Sequence, residues 1–178
     1  TMLTFTIKVE SPQNMYFLVP VAVKKYLLVF LKKEIGDEYK LRQDDPLKNI
    51  IASYLCVKKK KDLPKITPDM EYYNVRIPIA FFRRHKVSTI SDEGVRVFAD
   101  YFESYFTRLM IEWVNARISL KDKKDILDIL EKKEKKTMIQ INESIRDFLN
   151  KYEITDDLMS FDTALKRFQR RTEHLKHL

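Results

Sequence analysis

Alternating apolar and polar positions open the chain and predict a β-hairpin. The apolar side of the first strand is formed by Leu3, Phe5, Ile7 and Val9. This two-residue period is typical of a half-buried strand. The segment Ser11-Pro12-Gln13-Asn14 is rich in turn-forming residues, and residues 15–19 then supply the apolar positions of a second strand.

Two helices are predicted between this hairpin and the middle of the chain. Pro20 suits the first turn of a helix that would end at Gly36. Asp45 and Pro46 form a second helix opening, in which a capping carboxylate is followed by a proline in the first turn. We expect this second helix to run to about Leu55.

The segment after residue 70 alternates again and predicts a further strand. Its apolar positions are Val75, Ile77 and Ile79. Because proline cannot donate a hydrogen bond to a neighbouring strand, Pro78 favours a place at the edge of a sheet. The cationic sequence 81–86, FFRRHK, follows and is expected to flank a turn.

A long amphipathic helix is predicted over residues 92–118. Ser91-Asp92-Glu93 has the composition of a helix start, and Ser119 lies where the pattern ends. The apolar positions recur at the helical period and comprise Val95, Phe98, Phe102, Phe106, Leu109 and Trp113. The density of aromatic side chains on this stripe predicts that the helix forms the spine of the core.

Three further helical segments are predicted towards the C-terminus. The first covers about residues 120–136, and the second begins with Thr137 as its cap. The apolar stripe of the second consists of Met138, Ile141, Ile145, Phe148, Leu149 and Tyr152. A turn over residues 154–157 precedes the final helix, residues 160–178.

The final helix has two different faces. Its apolar stripe consists of Phe161, Leu165, Phe168, Thr172 and Leu175, and the three large side chains at 161, 165 and 168 are expected to be buried. At roughly 100° per residue, four cations collect on or beside the opposite face. They are Lys166, Arg167, Arg170 and Arg171, the first candidates for contact with nucleic acid. The alternative is an ordinary helix end, where the dipole favours cations, and Asp162 weakens the basic face.

Together these elements predict an α+β fold that is mainly helical. It would consist of a small N-terminal antiparallel sheet with helices, a long central aromatic helix, and a C-terminal helical module of helix-turn-helix type. We expect an N-terminal region over residues 1–118 and the helical module over residues 119–178, with a single shared core as the alternative.

The charge of the 178-residue chain favours an anionic partner. Lys and Arg number 34 against 26 Asp and Glu, which gives a net charge of +8, and 44% of the residues are hydrophobic, enough for a folded core. The strongest local excess lies at residues 56–90, with nine basic and three acidic side chains. The alternative is a basic protein that binds no charged partner.

Two groups of cations in this middle segment are further candidates for nucleic-acid contact. Lys58, Lys59, Lys60 and Lys61 form a run that suits a phosphate-binding loop, with a solvated loop or a protected strand edge as the alternative. Arg83, Arg84 and Lys86 follow two phenylalanines. They suit phosphate contact or stacking on bases, and equally the rim of a buried Phe81 or Phe82.

Other features exclude several classes of chemistry. Two glycines are too few for a P-loop, a dinucleotide-binding turn or a nucleophile elbow. Cys56 is the only cysteine, so disulfides within the chain and thiolate zinc sites are excluded. The acidic pairs at 44–45, 92–93 and 156–157 lie at predicted helix starts, where capping accounts for them. We expect no enzymatic activity, no metal and no cofactor.

Cysteine usage and hydropathy predict a cytoplasmic protein. A single free cysteine fits a reducing compartment. The longest apolar run, Tyr26 to Leu31, is far shorter than the roughly 20 residues of a membrane helix. Met2 is taken as the native start after a leftover Thr1, and no signal peptide follows it. We therefore expect no membrane association.

Two stretches resemble known proteins. Residues 142–171, NESIRDFLNKYEITDDLMSFDTALKRFQRR, are similar to the C-terminal helix-turn-helix-type segment of small proteins from Bacteroidetes phages and mobile elements. Residues 75–106, VRIPIAFFRRHKVSTISDEGVRVFADYFESYF, are similar to a middle segment of the same group, and the resemblance covers about half the chain. Because that group is largely uncharacterised, the resemblance implies a phage or mobile-element setting rather than an activity.

The C-terminal pattern also resembles a class of regulators. A helix, the sequence K-Y-x-I-T, an acidic turn and a basic helix occur in regulators such as the Mor activator family. Where that turn often contains glycine, this chain has Glu153, a residue that can continue a helix. The resemblance implies a DNA-binding role, and the glutamate questions the sharpness of the turn.

These observations support two hypotheses about function, and a small nuclease or other nucleic-acid enzyme ranks third behind them. The first is a non-enzymatic DNA-binding protein, a regulator or replication accessory of a phage or mobile element, with RNA as a second partner of the same charge. The alternative is a phage structural, adaptor or host-takeover protein that acts through protein–protein contacts with a phage or host partner or with a second copy.

Overall fold

The computed structural model describes residues 7–11, 14–42, 44–56, 66–85, 89–118 and 135–174. The chain divides into two compact units, Thr1–Phe102 (unit 1) and Glu103–Leu178 (unit 2). The division lies inside the longest helix, whereas the sequence suggested a boundary near residue 119. The described elements confirm a mainly helical α+β fold with a cluster of aromatic side chains.

Unit 1 is built on a four-stranded mixed sheet with the strand order β1-β2-β5-β3. The strands are β1 (Ile7–Ser11), β2 (Asn14–Lys24), β3 (Glu38–Lys40) and β5 (Met70–Pro78). The pairs β1–β2 and β2–β5 are antiparallel and β3–β5 is parallel, so the sheet is mixed rather than antiparallel. Two short strands, β4 (Leu55–Cys56) and β6 (Thr89–Ile90), form a separate antiparallel pair.

Six helices are present in the described parts of the chain. They are α1 (Lys25–Glu34), α2 (Pro46–Ala52), α3 (Ile79–His85), α4 (Asp92–Ile118), α5 (Lys135–Lys151) and α6 (Phe161–His174). Within the same residues, no helix has the length and apolar character needed to cross a membrane. The helix predicted over residues 120–136 lies largely outside the described residues, as does the first half of the first predicted strand.

Strand β2 continues through Pro20, so the helix start predicted there is wrong. Its buried side carries three β-branched residues, Val19, Val21 and Val23, each at most 2% exposed. This two-residue period outweighs the preference of proline for a helix start. Helix α1 therefore begins at Lys25, while its predicted end is confirmed at Gly36, whose φ is +110°.

Strand β5 is an interior strand, and the edge position predicted from Pro78 is wrong. It pairs with β2 on one side and with β3 on the other. Pro78 is the last residue of β5, where the missing N–H donor coincides with the end of the strand. The following residues form α3 rather than the flank of a turn, with Phe81 and Phe82 both buried.

Helix α4 confirms the predicted spine over residues 92–118. Ser91 caps it, because its Oγ accepts a hydrogen bond from the Gly94 N–H at 3.2 Å. The buried positions are Val95, Phe98, Phe102, Phe106, Met110 and Val114. The last two turns therefore bury Met110 and Val114, and the predicted Leu109 and Trp113 are half-buried. Five turns of 3.6 residues lead from Val95 to position 113, so the buried face moves by about one residue relative to this period over the last two turns.

Helix α5 confirms most of its predicted stripe. Five of the six positions are buried: Ile141, Ile145, Phe148, Leu149 and Tyr152. Met138 is half-buried. The helix begins at Lys135, so Thr137 lies inside it and the predicted cap is wrong.

Glu153 ends α5 in a conformation that usually belongs to glycine. Its φ is +56°, in the left-handed region. The Ile154 N–H donates to the Leu149 carbonyl at 2.9 Å, and the Glu153 N–H donates to that of Asn150 at 3.0 Å. These two bonds form a Schellman motif, and Ile154 and Leu149 are both buried, as often accompanies that motif. The glutamate thus stops the helix.

Replacing Glu153 with glycine is expected to raise the free energy of unfolding by about 0.5–1 kcal/mol. A left-handed backbone costs an L-residue about 1–2 kcal/mol, and the greater entropy of glycine in the unfolded chain offsets part of the gain. Urea denaturation followed by the fluorescence of Trp113, the single tryptophan of the chain, measures the change. Asn150→Gly, in the last turn of the same helix, is the control and should destabilise. A less stable Glu153→Gly protein would contradict this account.

Candidate functional site

The buried side of α6 holds this helix in unit 2. Its buried residues are Ala164, Phe168 and Thr172. Phe161 and Leu165 were expected to be buried but are half-buried. Phe161 is the first residue of the helix and lies against the Arg146 guanidinium, and Leu165 lies about 60° from the centre of the buried face. Leu175 lies outside the described residues. The helix starts after Ser160, whose Oγ accepts a hydrogen bond from the Thr163 N–H at 3.4 Å.

Arg167 belongs to the internal structure of unit 2 rather than to an open face. Its guanidinium donates a hydrogen bond to Glu103 of α4. The two side chains are 23% and 28% exposed. Because Arg167 is already paired with a carboxylate, it contributes less free positive charge to the surface than the sequence pattern suggested.

The other three cations of α6 form the candidate site, which we call the α6 basic face: Lys166, Arg170 and Arg171. All three are exposed. None of them has an ion pair with a carboxylate of a described residue. Lys166 and Arg170 are one turn apart, a rise of about 6 Å along the helix. Exposed Asp162 lies one turn before Lys166 and is not paired with it in the described chain.

Three cations on the other helices of unit 2 are engaged by neighbours. Arg117 pairs with Asp147 and lies 4.7 Å from the Trp113 ring centroid. Lys151 lies 4.7 Å from the same centroid, and Arg146 lies 4.7 Å from that of Phe161. These contacts with aromatic rings and with Asp147 hold the three cationic groups against unit 2. The α6 basic face differs because no such contact involves its three side chains among the described residues.

Unit 1 contains a second basic feature, a pocket of about 110 Å³. It is lined by Leu41, Arg42, Lys48, Pro78, Ala80, Phe81 and Arg84. Of the cations predicted in the middle segment, the structure places Arg84 in this pocket and Arg83 exposed on the same helix. Lys58, Lys59, Lys60, Lys61 and Lys86 lie outside the described residues.

Sequence reasoning missed Arg42 and Lys48. These residues follow β3 and lie in α2, and Arg84 belongs to α3. No periodic spacing links three such positions, since only the folding of unit 1 brings them together. In the sequence, Arg42 and Lys48 are two isolated cations, each beside an apolar residue, and nothing in this arrangement indicates a binding site.

One charge of the basic middle segment is structural. Arg76 is 6% exposed. Its Nε donates to Glu38 Oε2 at 2.9 Å, and its Nη2 lies 2.6 Å from the same oxygen. The guanidinium carbon also lies 5.0 Å from the ring centroid of Tyr16. Arg76 therefore holds β5 to β3 and does not add to the surface charge of residues 56–90.

The acidic pairs are partly explained by helix capping, as predicted. Asp45 caps α2, with Oδ1 accepting from the Leu47 N–H at 2.9 Å and Oδ2 accepting from the Tyr39 hydroxyl. Burial and the hydrogen bond to Asp45 raise the pKa of Tyr39 far above its usual range. Asp156 and Asp157, however, lie in the connection before α6, whose cap is Ser160. The described residues contain no group of three or more potential metal ligands.

Comparisons with protein-family models, with curated proteins and with solved structures find no match to this chain.

Proposed function

We propose that this protein binds DNA through the α6 basic face, as a non-enzymatic regulator or replication accessory. One observation carries the proposal. Helix α6, packed by the side that carries Phe168, presents three exposed cations that no described carboxylate neutralises. Cations of this kind release counterions when they meet DNA phosphates, and this release drives association. The net charge of +8 adds long-range attraction for a polyanion.

The position of these cations favours contact with the DNA backbone over reading of bases. A recognition helix reads base edges mainly from its N-terminal half. In α6 that half exposes Asp162, which repels phosphates, and Thr163, whose hydroxyl is 2.9 Å from that of Ser160. Lys166 lies at the end of that half, and the two arginines of the α6 basic face follow in the second half of the helix. Contacts to phosphates carry affinity without sequence information, so we expect weak sequence preference.

The connection before α6 supports the same mode of binding. Residues 152–160 separate α5 from α6, and they contain a further turn in which the Leu158 and Met159 N–H groups donate to the Thr155 carbonyl. This connection is longer than the three to four residues of a helix-turn-helix. The two helices therefore need not adopt the docking geometry of that motif, and α6 can lie along the phosphate backbone.

The double substitution Arg170→Ala and Arg171→Ala is expected to weaken DNA binding by about tenfold at low salt, because two phosphate contacts are lost. Fluorescence anisotropy of a labelled DNA duplex measures the dissociation constant. Both side chains are exposed, so the far-UV circular dichroism of the variant should match that of the original protein.

The matched control removes the same charge elsewhere on the chain. Arg96 and Arg108 are exposed residues of α4, and replacing both with alanine also lowers the net charge by two. This control should change the affinity by no more than about threefold, the effect of long-range charge alone. Equal weakening by the two double variants would show that net charge, and not the α6 basic face, determines binding.

A further inference from the structure

We infer that unit 1 carries a binding site for a phosphate monoester, formed by the pocket between Arg42, Lys48 and Arg84. Nothing in the DNA-binding proposal requires this site, because the α6 basic face belongs to unit 2. The pocket combines cations on its rim with an apolar floor of Leu41 and Phe81. That combination favours a small, strongly charged anion.

The charge around the pocket is one-sided. Among the described residues that line it, three are cationic and none is acidic. Arg42 and Arg84 have no ion pair within the described chain. These two guanidinium groups therefore keep a positive charge that an anion can neutralise.

The chemistry of the rim suits phosphate in particular. Each guanidinium presents a planar fork of N–H donors that matches two oxygens of a phosphate. Two such forks present at least four N–H donors, enough to serve three non-bridging oxygens, the number that a monoester carries and a phosphodiester lacks. The buried Phe81, 7% exposed, lowers the local dielectric and strengthens these attractions.

The size of the pocket limits what it encloses. Its volume of about 110 Å³ is below the roughly 300–1,000 Å³ of pockets for whole small molecules. It is also smaller than an engineered cavity of about 150 Å³ that holds benzene. A nucleobase would therefore remain outside, and the pocket encloses only the terminal charged group of its ligand.

Backbone hydrogen bonds fix two of the segments that line the pocket, the residues after β3 and the start of α2. Leu41 and Arg42 directly follow β3, and the Leu41 N–H donates to the carbonyl of Arg76 on β5 at 3.0 Å. Lys48 lies in the first turn of α2, which Asp45 caps. Because these contacts fix the backbone at Arg42 and Lys48, less conformational entropy is lost when the cationic side chains bind a ligand.

A phosphate monoester could come from a free nucleotide or from the 5′ end of a nucleic acid. The first experiment titrates the full chain with inorganic phosphate and with adenosine monophosphate, followed by ¹H–¹⁵N NMR spectra. Both probes should bind, and Arg42→Ala or Arg84→Ala should weaken each by about tenfold, the loss of one charge-assisted contact. Lys40→Ala, which removes an exposed cation two residues before Arg42, should bind both probes as the unaltered protein does.

The second experiment compares a single-stranded oligonucleotide that carries a 5′-phosphate with the same oligonucleotide carrying a 5′-hydroxyl. A preference for the phosphorylated form that Arg42→Ala abolishes identifies a nucleic-acid end as the source. Equal affinities together with adenosine monophosphate binding identify a free nucleotide. The Arg170→Ala and Arg171→Ala protein should still bind adenosine monophosphate, so failure of the DNA-binding proposal leaves this result unchanged. Absence of phosphate and adenosine monophosphate binding, or binding unaffected by Arg42→Ala and Arg84→Ala, would overturn the inference.

Discussion

Replacing Arg76 with alanine is expected to lower the free energy of unfolding by about 3–5 kcal/mol. The guanidinium is buried against Glu38, with two nitrogens at 2.6 and 2.9 Å from one carboxylate oxygen. Without Arg76, the carboxylate of Glu38, whose side chain is only 14% exposed, would lose this partner. The penalty comes mainly from this uncompensated charge, and the lost contact with the Tyr16 ring adds to it.

Urea denaturation followed by far-UV circular dichroism is the appropriate measurement for Arg76→Ala. Trp113 belongs to unit 2, so its fluorescence is less suited to a change in unit 1. The control replaces both partners, Arg76→Met with Glu38→Leu, and should recover most of the loss because no buried charge remains unpaired. A cost below about 1 kcal/mol for Arg76→Ala would show that the pair behaves like an exposed surface pair.

Replacing Phe148 with alanine is expected to cost about 3–5 kcal/mol in unit 2. Phe148 is 1% exposed and lies between three aromatic rings. Its ring centroid is 5.5 Å from that of Phe106, 6.3 Å from that of Trp113 and 4.9 Å from that of Tyr152. Alanine would leave a cavity at this junction and remove the edge-to-face contacts, which add to the loss of apolar burial.

Trp113 reports directly on this substitution, because its indole contacts Phe148. Its fluorescence in urea gives the free energy of unfolding. Ile139→Ala is the control on the same helix, since Ile139 is 50% exposed and should cost less than about 0.5 kcal/mol. Similar costs for the two variants would contradict the placement of Phe148 at the centre of the aromatic cluster.

Periodicity predicted most buried positions of the elements that bury one side, and it failed mainly near the ends of these elements. The spine α4, the stripe of α5 and the start of α2 at Asp45 and Pro46 all follow from spacing and local capping. Proline misled the interpretation twice, at Pro20 and Pro78. In both cases the pairing of neighbouring strands outweighed the local preference of the residue.

The structure also explains why the sequence predicted the exposed face of α6 but not the ion pair that Arg167 forms. The helical period of α6 correctly separates Phe168 from Arg170. It does not show that Arg167 meets Glu103, because 64 residues separate the two partners. The pocket of unit 1 was unpredictable for the same reason: Arg42, Lys48 and Arg84 lie on three separate elements. The local sequence pattern predicts on which face of a helix a cation lies. Tertiary contacts determine whether its charge is neutralised within the protein or can bind a partner.

Glu153 shows a different limit of sequence reasoning. As a residue compatible with a helix, it argued against a sharp end to α5. The structure ends α5 at Lys151 and gives Glu153 a φ of +56°. Burial of Ile154 and Leu149, together with the hydrogen bond between their backbones, stabilises this end and outweighs the local cost.

The salt dependence of DNA binding tests the central proposal most directly. Affinity for a labelled duplex is measured between about 50 mM and about 200 mM salt, for the original protein and for the Arg170→Ala and Arg171→Ala variant. Three phosphate contacts predict a slope of about −2.7 in log affinity against log salt, which is a loss of about 40-fold over this range. The variant should retain a slope of about −0.9. No binding at the lowest salt, or the same slope for both proteins, would contradict DNA binding through the α6 basic face.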